Sequence, residues 1–319
     1  MLLVKRRILA AAIESTPGTA ETLDAGDAAL NVFDVVVNPN IEMSERMGQS
    51  TFSPLPAVPG ARAGTLAFKV NLHGSGASGG ASPDWADTLL PACGLVETDD
   101  VFQVNSSYPS AAGSVKTVTL GVYEQGLTGA NALMKKLKGA MGTASFHFEP
   151  GKIGYVEFTF TGIWLAPTDA TMLAPTYPTV IPPRLAGSAT TIGAWSPKYA
   201  ELSLDLGNDV QLREDPSDAS GYLCAYIGGR TVTGTLNPEA DLVTDRDSYG
   251  TWLAGTEAAL SAQLGAGGDD FNTLTFAALK AQLTNVQEGD RNGNQIDDIT
   301  FQCNRSAAGG DDELTITFS

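Results

Sequence analysis

An order of short motifs occurs twice along the sequence, and this repeat constrains the fold more than any other feature. A turn-like segment follows a strand-like run at Asn38–Arg46 and again at Gly207–Asp215, an offset of 169 residues. A Gly-Thr-Leu strand start follows at Gly64–Leu66 and at Gly234–Leu236, an offset of 170. Two offsets that agree within one residue predict an internal duplication, so we expect two similar units.

Each half then continues with a short amphipathic helix. In the first half, Ser82 is predicted as the N-cap and Pro83 as the first helical residue, and Gly94 ends the segment. In the second half, Asp245–Leu260 carries aromatic and leucine side chains at helical spacings. Such a helix is typical of a lid over a sheet rather than of a ligand site.

The halves also close alike, with a predicted β-hairpin. Phe146–Phe148 and Tyr155–Thr161 flank a glycine-containing turn in the first half. Thr273–Thr284 and Ile296–Cys303 flank a longer connection in the second half, which contains Asn292-Gly293. Asn-Gly is a strong hairpin signal because both residues tolerate a positive φ.

The first half is longer than the second. The closing strands, around Phe158 and Ile299, are 141 residues apart rather than 170, so the first half carries about 29 extra residues. The alternation of apolar and polar residues in Val101–Val122 predicts that these residues add strands.

A proline-rich segment, residues 166–188, separates the halves. Proline disrupts helices and central strands alike, so this segment is predicted to be a semi-rigid extended linker. We therefore predict two β-rich domains, residues 1–165 and 189–319, each with a short flanking helix. The 35 glycines, 17 prolines and only 17% charged residues suit a mainly β fold with many turns.

The chain is acidic, with 36 acidic against 19 basic residues and a net charge of −17. Electrostatic adhesion to DNA or to an anionic membrane is therefore disfavoured. The apolar run Ile8–Ile13 is too short for a membrane span or an export signal. Cys93, Cys224 and Cys303 are far apart, which predicts reduced, buried thiols rather than a disulfide framework or a zinc site.

No motif indicates catalysis, a cofactor or a metal. We therefore predict that the chain is not an enzyme and that it has no catalytic, cofactor-binding or metal-binding residues. The two histidines, His73 and His147, are interpreted as structural, and the glycines of 74–80 lack the ending of a phosphate-binding loop. The oxygen-rich Asp290–Asp297 has Gln295 and Phe301 where a calcium loop requires Gly and Glu, so a hairpin turn is favoured. The acidic groups at 269–270 and 311–313 are interpreted as solvated loop residues.

Segments spread in order over nearly the whole chain resemble the tail tube (major tail) proteins of long-tailed bacteriophages, of the two-domain type. The acidic segment Glu214–Gly221 departs from that pattern. The similar segments are Arg7–Ala20, Val70–Gly76, Trp85–Gly94, Leu120–Thr143, Phe158–Asp169, Leu202–Asp209, Lys280–Asn285 and Asp312–Phe318.

The resemblance implies two tandem β-sandwich or partial-barrel domains in a virion protein that is assembled in the host cytoplasm. Rings would stack into a tube through which genomic DNA passes without specific binding. Partners would be the tail terminator, baseplate or distal tail, and tape-measure proteins, with no membrane. Because two domains share one chain, we expect trimeric, pseudo-hexameric rings; the rival is a hexamer with the second domain outside. A non-contractile, siphovirus-type tail is preferred.

Two further expectations concern surfaces. The segments Met43–Gly60 and Arg213–Gly229 are long, turn-rich connections, which predicts that they contact the adjacent stacked ring. The net charge predicts an acidic or small polar lumen. The alternative functions are a secreted or surface β-sandwich binding module, such as an adhesin or carbohydrate-binding domain, and a hydrolase on a β-scaffold. Electron microscopy separates these alternatives, because only the first predicts rings or tubes.

Overall fold

The computed structural model describes residues 2–48, 50–76, 82–106, 116–126, 131–265 and 271–319, and it confirms a mainly β fold with two short helices. The first half contains β1 (Leu2–Ile13), β2 (Val32–Met47), β3 (Pro54–Asn71), α1 (Asp84–Leu89), β4 (Leu95–Thr98), β5 (Val101–Val104), β6 (Val118–Gly126), β7 (Asn131–Phe148) and β8 (Tyr155–Thr171). The second half contains β9 (Thr190–Ile192), β10 (Tyr199–Asp205), β11 (Asn208–Glu214), β12 (Tyr222–Arg230), β13 (Thr233–Pro238), α2 (Ser248–Leu253), β14 (Glu257–Leu264), β15 (Leu274–Arg291), β16 (Asn294–Cys303) and β17 (Thr315–Phe318).

The same strand order occurs in both halves. The first half arranges its strands as β2-β3-β8-β7. Strand β6 pairs with the beginning of β7, and β1 pairs with β6. The second half arranges its strands as β10-β13-β16-β15. Strand β14 pairs with the beginning of β15, and β9 pairs with β14. This agreement supports the repeat predicted from the sequence.

The register corrects one of the two predicted offsets. Val37 lies opposite Leu66 in the first half, and Leu202 lies opposite Leu236 in the second. The Gly-Thr-Leu strand therefore keeps its offset of 170, whereas the strand before it has an offset of 165 rather than 169. The difference lies in the connection between the two strands, which is longer in the second half.

The two halves share one sheet, because β10 pairs with the end of β7. Leu202 lies opposite Phe148 at one end of this pairing, and Asp205 lies opposite Ser145 at the other. Behind the pairing, the ring of Phe276 lies 5.0 Å from that of Phe146 and 4.9 Å from that of Phe148. One apolar core therefore runs across the boundary between the halves.

The extra residues of the first half form β4 and β5, which hold the C-terminal strand. β5 pairs with β17, and β17 pairs with β15, so a first-half insertion and a second-half strand enclose residues 315–318. The ring of Phe318 lies 5.8 Å from that of Trp85 and 5.6 Å from that of Phe102. The prediction of added strands is confirmed for β5, whereas β4 precedes the predicted range and residues 107–115 lie outside the described residues.

Both helices differ from their predicted bounds. Helix α1 begins at Asp84 with Pro83 as its N-cap, and the hydroxyl of Ser82 donates to the carboxylate of Asp87 instead of capping the helix. Helix α2 is short because residues from 257 onward enter β14, where they pair with β15. The side chain of Asp247 accepts from the backbone N–H of Gly250 and fixes the start of α2.

The second hairpin is tighter than predicted, and the linker is shorter. Asn292 and Gly293, with φ of 58° and 88°, form a two-residue turn between two long strands. Residues 166–171 of the predicted linker belong to β8. Residues 172–188 form no helix or strand, and isolated bridges join Arg184 and Leu185 to the β7–β8 turn. The division into domains at this segment stays a prediction.

We expect Phe276→Ala to lower the free energy of unfolding by about 3–5 kcal/mol, because it leaves a cavity between Phe146 and Phe148. The measurement is chemical denaturation monitored by circular dichroism. Phe52→Ala is the matched control, because that ring is fully exposed, and we expect it to change stability by less than about 0.5 kcal/mol. Equal stability of the two variants would contradict a core shared by the halves.

Candidate functional site: a polar sheet face, two open edges and two hairpin arms

One face of the shared sheet is polar from β3 to β15. Each strand contributes alternate side chains to it, and the intervening residues point into the apolar core. One row across the sheet runs Lys69, Glu157, Ser145, Asp205, Thr233 and Gln302, and the next runs Tyr155, His147, Ser203, Thr235, Thr300 and Asn285. The face consists mainly of small polar and acidic side chains.

Carboxylates give this polar face its charge. Glu201 and Asp298 are exposed, and Asp205 is half-buried. The ammonium of Lys69 lies 3.3 Å from a carboxylate oxygen of Asp34 and 3.9 Å from one of Glu157. The hydrogen bond to Asp34 raises the pKa of Lys69, so this cation stays charged and paired with acids.

The two histidines occupy unrelated places. His73 is buried beside α1, where its Nδ1 lies 2.8 Å from the carbonyl oxygen of Gly74, and burial lowers its pKa. His147 lies on the polar face, with its ring stacked 4.8 Å from that of Tyr155 and its Nε2 3.3 Å from the Oγ of Ser145. Ser145 and His147 are alternate residues of one strand, so this contact follows from strand geometry.

The acidic motifs have structural explanations. The segment from Asp290 forms the tight hairpin turn, and no group of three or more metal-ligating side chains occurs among the described residues. The guanidinium of Arg230 pairs with Asp311 at 3.0 Å and with Glu313 at 3.2 Å. Asp311 and Glu313 therefore join β12 to the C-terminal segment, and their interpretation as solvated loop acids is wrong. Asp269 and Asp270 lie outside the described residues.

Among the described residues, β2 and β15 have an unpaired edge, in addition to the end strands β1, β4 and β9. Strand β2 pairs with β3 on one side only, and Val286–Arg291 of β15 pairs with β16 on one side only, as far as the described residues show. The equivalents of these edges, β10 and the end of β7, pair with each other inside the chain. Each chain therefore presents both partners of a pairing that it already makes once internally.

Two hairpin arms extend from equivalent places in the halves. The first arm comprises Ile41–Pro59, where β2 and β3 continue beyond the sheet, and most of its residues are exposed. The second arm comprises Asn208–Arg230, which forms the hairpin β11–β12. The arms include most of Met43–Gly60 and Arg213–Gly229, which were predicted as long loops that contact a stacked ring. They are paired strands instead, and the contact with a stacked ring stays a prediction.

The second arm packs against the first half of its own chain, and we call the surface that it contacts there the seat. At its base, the amide of Asn208 donates to the carbonyl oxygens of Cys93 and Gly142 at 2.7 and 2.9 Å. At its tip, Arg62 donates through its backbone N–H to the carbonyl oxygen of Ser220 at 3.0 Å. Between these ends, apolar side chains pack together in a small cluster. That cluster contains Met141 and Ala225 at its centre, with Val96, Val210, Leu212 and Ile227 around them.

An ion pair strengthens the seat at the arm tip. The ammonium of Lys138 lies 2.9 Å from a carboxylate oxygen of Asp218. Hydrogen bonds from Ser220, followed by the one from Lys138, hold the pKa of Asp218 well below its usual range. A cavity of about 1010 Å³ remains between the arm and the first half, lined in part by Pro17, Met141 and Tyr226.

A buried carboxylate organises the seat from beneath. One oxygen of Glu14 accepts from the N–H of Gly139 at 2.6 Å and from the hydroxyl of Thr119 at 2.8 Å. The other oxygen accepts from the N–H of Gly18 at 2.7 Å and from the hydroxyl of Thr117 at 2.8 Å. Four hydrogen bonds satisfy the buried charge and join β1, β6 and β7 at one point.

The two glycines bound by Glu14 are also the points that the arm touches most closely. A Cβ on Gly18 would lie 2.0 Å from the carbonyl oxygen of Leu223, and one on Gly139 would lie 3.0 Å from the Cα of Cys224. Both glycines have a positive φ, of 80° and 57°. Glu14 thus fixes two residues that only glycine can fill while the arm is seated.

The three cysteines are buried and unpaired, as predicted. Burial raises the pKa of Cys93 well above its usual range and that of Cys303 to about 12. Cys224 lies on the second arm, so its protection depends on the seat. Within the described part of the chain, no helix is long and apolar enough to cross a membrane.

We expect Glu14→Gln to lower the free energy of unfolding by about 2–4 kcal/mol, because the new amide group faces donors and leaves them unpaired. It should also loosen the second arm. We therefore expect Cys224 to react faster with a thiol reagent, measured by mass spectrometry, with Cys93 and Cys303 as internal references.

The control for this experiment is Glu21→Gln. Glu21 is also a carboxylate that accepts two hydrogen bonds, both from Ser15, but it lies at the surface. We expect stability and Cys224 reactivity near those of the unmodified chain. Equal stability and equal Cys224 reactivity of the two variants would contradict the role of Glu14 in organising the seat.

Comparison with known proteins identifies the chain's relatives. A family model described as phage tail tube protein matches residues 5–319, which is nearly the whole chain. No curated protein matches the chain.

Proposed function

The chain belongs to the phage tail tube protein family, and on that premise we propose that it polymerises as stacked rings that form the channel for DNA ejection. Membership in this family makes the chain a structural component of the virion and implies a non-enzymatic role. The family also implies self-assembly into a tube. The ring, its stoichiometry and its bore are the parts that we propose.

The observation that carries this proposal is the internal pairing of β10 with the end of β7. Because β2 is equivalent to β10 and β15 to β7, the same pairing between two chains joins β2 of one copy to the open edge of β15 in the next. By equivalence with the registers of the two halves, we propose that Val37–Asn40 pair with residues 289–292 of the next copy. An edge that is an aggregation hazard in a monomer is here the device of assembly.

We propose that three chains close the ring. Each chain supplies two four-stranded units of the same order, β2-β3-β8-β7 and β10-β13-β16-β15, side by side in one sheet. Three chains supply six such units with pseudo-sixfold symmetry. The rival arrangement is a hexamer with residues 184–319 outside, and the shared sheet favours the trimer because it leaves the second half no freedom to swing outward.

The polar face is proposed to line the bore. Its small polar and acidic side chains repel phosphate or contact it weakly, so DNA passes without specific binding. A basic lining would hold phosphates and add friction. The opposite face is buried in the core, which leaves the polar face as the surface available to a lumen.

The other partners proposed are those that a tail tube needs. A tail terminator closes one end, a baseplate or distal tail protein closes the other, and a tape-measure protein occupies the bore during growth. Assembly takes place in the host cytoplasm, and the tail is non-contractile. These partners follow from the tube role and have no residues assigned to them.

We expect native mass spectrometry of disassembled tubes to give a species of three chains, and cryo-electron microscopy to give six similar units around the bore. A ring of six chains, with the second halves outside the barrel, would replace the trimer. Monodisperse monomers under all conditions that favour assembly would contradict the tube role itself.

We expect the double variant Glu201→Lys and Asp298→Lys to form normal tubes but to slow DNA release from phage particles. The new cations face the bore and bind phosphate, and the effect should shrink at high salt because the attraction is screened. The matched control is Asp241→Lys with Asp245→Lys, which reverses two exposed acids in the loop before α2. Equal release by both variants would place Glu201 and Asp298 outside the bore.

A further inference from the structure

The two hairpin arms are equivalent in position but not in environment. The second arm lies against the first half of its own chain, with its apolar side chains against Met141. None of the described residues covers the first arm in this way, and its Met43, Met47 and Leu55 are 53%, 79% and 45% exposed. Apolar side chains clustered on a projecting hairpin indicate a missing partner surface.

The register identifies where that surface lies. Met141 pairs with Thr161 beside a bulge in β7, and Asn285 pairs with Thr300 beside a bulge in β15. Asn285 is therefore the second-half equivalent of Met141. The offset of 170 between β3 and β13, continued along the arms, makes Leu55 the equivalent of Ala225, the arm residue that packs with Met141.

Side-chain amides lie near Asn285. Because amides both donate and accept hydrogen bonds, they suit the backbone N–H and C=O groups of a hairpin arm. The side-chain amide of Asn304 donates to the carboxylate of Glu257 at 2.8 Å and to the side-chain Oε1 of Gln282 at 2.9 Å. The amide of Gln302 donates to Asn304 at 3.1 Å. This network of side-chain amides occupies the place that the Lys138 pair holds in the first half, since Gln282 is the equivalent of Lys138.

The first arm cannot reach β15 and β16 of its own chain. Strand β2 is the first and β15 the eighth in the row of strands that the two halves share. Seven steps of about 4.8 Å separate them by roughly 34 Å across the sheet, and the arm runs along the strands rather than across them. The partner surface on another copy is adjacent to β2 once that strand pairs with β15 of the next chain.

We infer that the first arm, Ile41–Pro59, lies over β15 and β16 of the next copy in the same ring, as the second arm lies over β7 and β8 of its own chain. The inference rests on the proposed function, because it needs β2 and β15 to meet between copies. Each copy would then hold one arm of its own and one arm of a neighbour. The arms lock the sheet edges together from the polar face, so the part of that face proposed to line the bore is the part that the arms leave uncovered.

The test is a disulfide between the two equivalent positions, Leu55→Cys with Asn285→Cys, oxidised in assembled rings and in tubes. The native cysteines are buried, so they compete little with the new pair. We expect cross-linking between chains that converts most of the monomer band to closed covalent trimers on a non-reducing gel. Each single variant should give no such product.

The matched control is Met141→Cys with Ala225→Cys, at the seat that already exists. It should form a disulfide within one chain and leave the protein at the monomer position on the gel. A second variant replaces residues 45–57 with Asn-Gly, which shortens the first arm to a tight hairpin and keeps Ser44 opposite Val58. We expect it to fold with an unchanged Tm and to lose at least tenfold in ring yield.

The outcomes separate the inference from the proposed function. Rings that form normally but give no Leu55–Asn285 cross-link overturn the inference and leave the tube role intact. A cross-link that forms in stacked tubes but not in isolated rings also overturns it, because the arm then contacts the next ring. An unmodified chain that forms neither rings nor tubes overturns both.

Discussion

The pairing of β10 with the end of β7 is the interaction on which the rest of the structure depends. Only four residue pairs join the strands, from Leu202 with Phe148 to Asp205 with Ser145. They turn two four-stranded units into one sheet with a common apolar face, sealed by Phe276. A sheet extended in this way still has an edge strand at each end, and each edge presents unpaired N–H and C=O groups. The open edges of β2 and β15 are therefore a consequence of the same geometry that joins the halves.

Much of this fold could be predicted from local patterns. The Gly-Thr-Leu strands, the Asn292-Gly293 turn and the end of the first helical segment at Gly94 are set by neighbouring residues, so the sequence predicts them well. The bounds of α2 were wrong because β15 recruits residues from 257 onward into a strand. Helical spacing within a short segment cannot compete with a full row of backbone hydrogen bonds.

The candidate site was less predictable because its contacts are long-range. Glu14 gave no signal beyond ending an apolar run, yet its carboxylate binds residues more than a hundred positions away, at 117, 119 and 139. The seat of the second arm depends on such contacts, so a segment that reads as a loop became a packed hairpin. Alternation indicated that the strands have one polar face, but the residues on that face required the register, and an acidic bore stays a prediction.

The enclosure of β17 between β5 and β15 has a consequence for the timing of folding. The strand at 315–318 completes a layer that begins at residue 95, so this layer closes only after some 220 intervening residues have been synthesised. Contacts of such high sequence separation form late and slowly. A nascent chain on the ribosome therefore keeps its first half incomplete, with Phe102 and Trp85 lacking the ring of Phe318. Synthesis itself thereby delays the moment at which a chain becomes competent to join others.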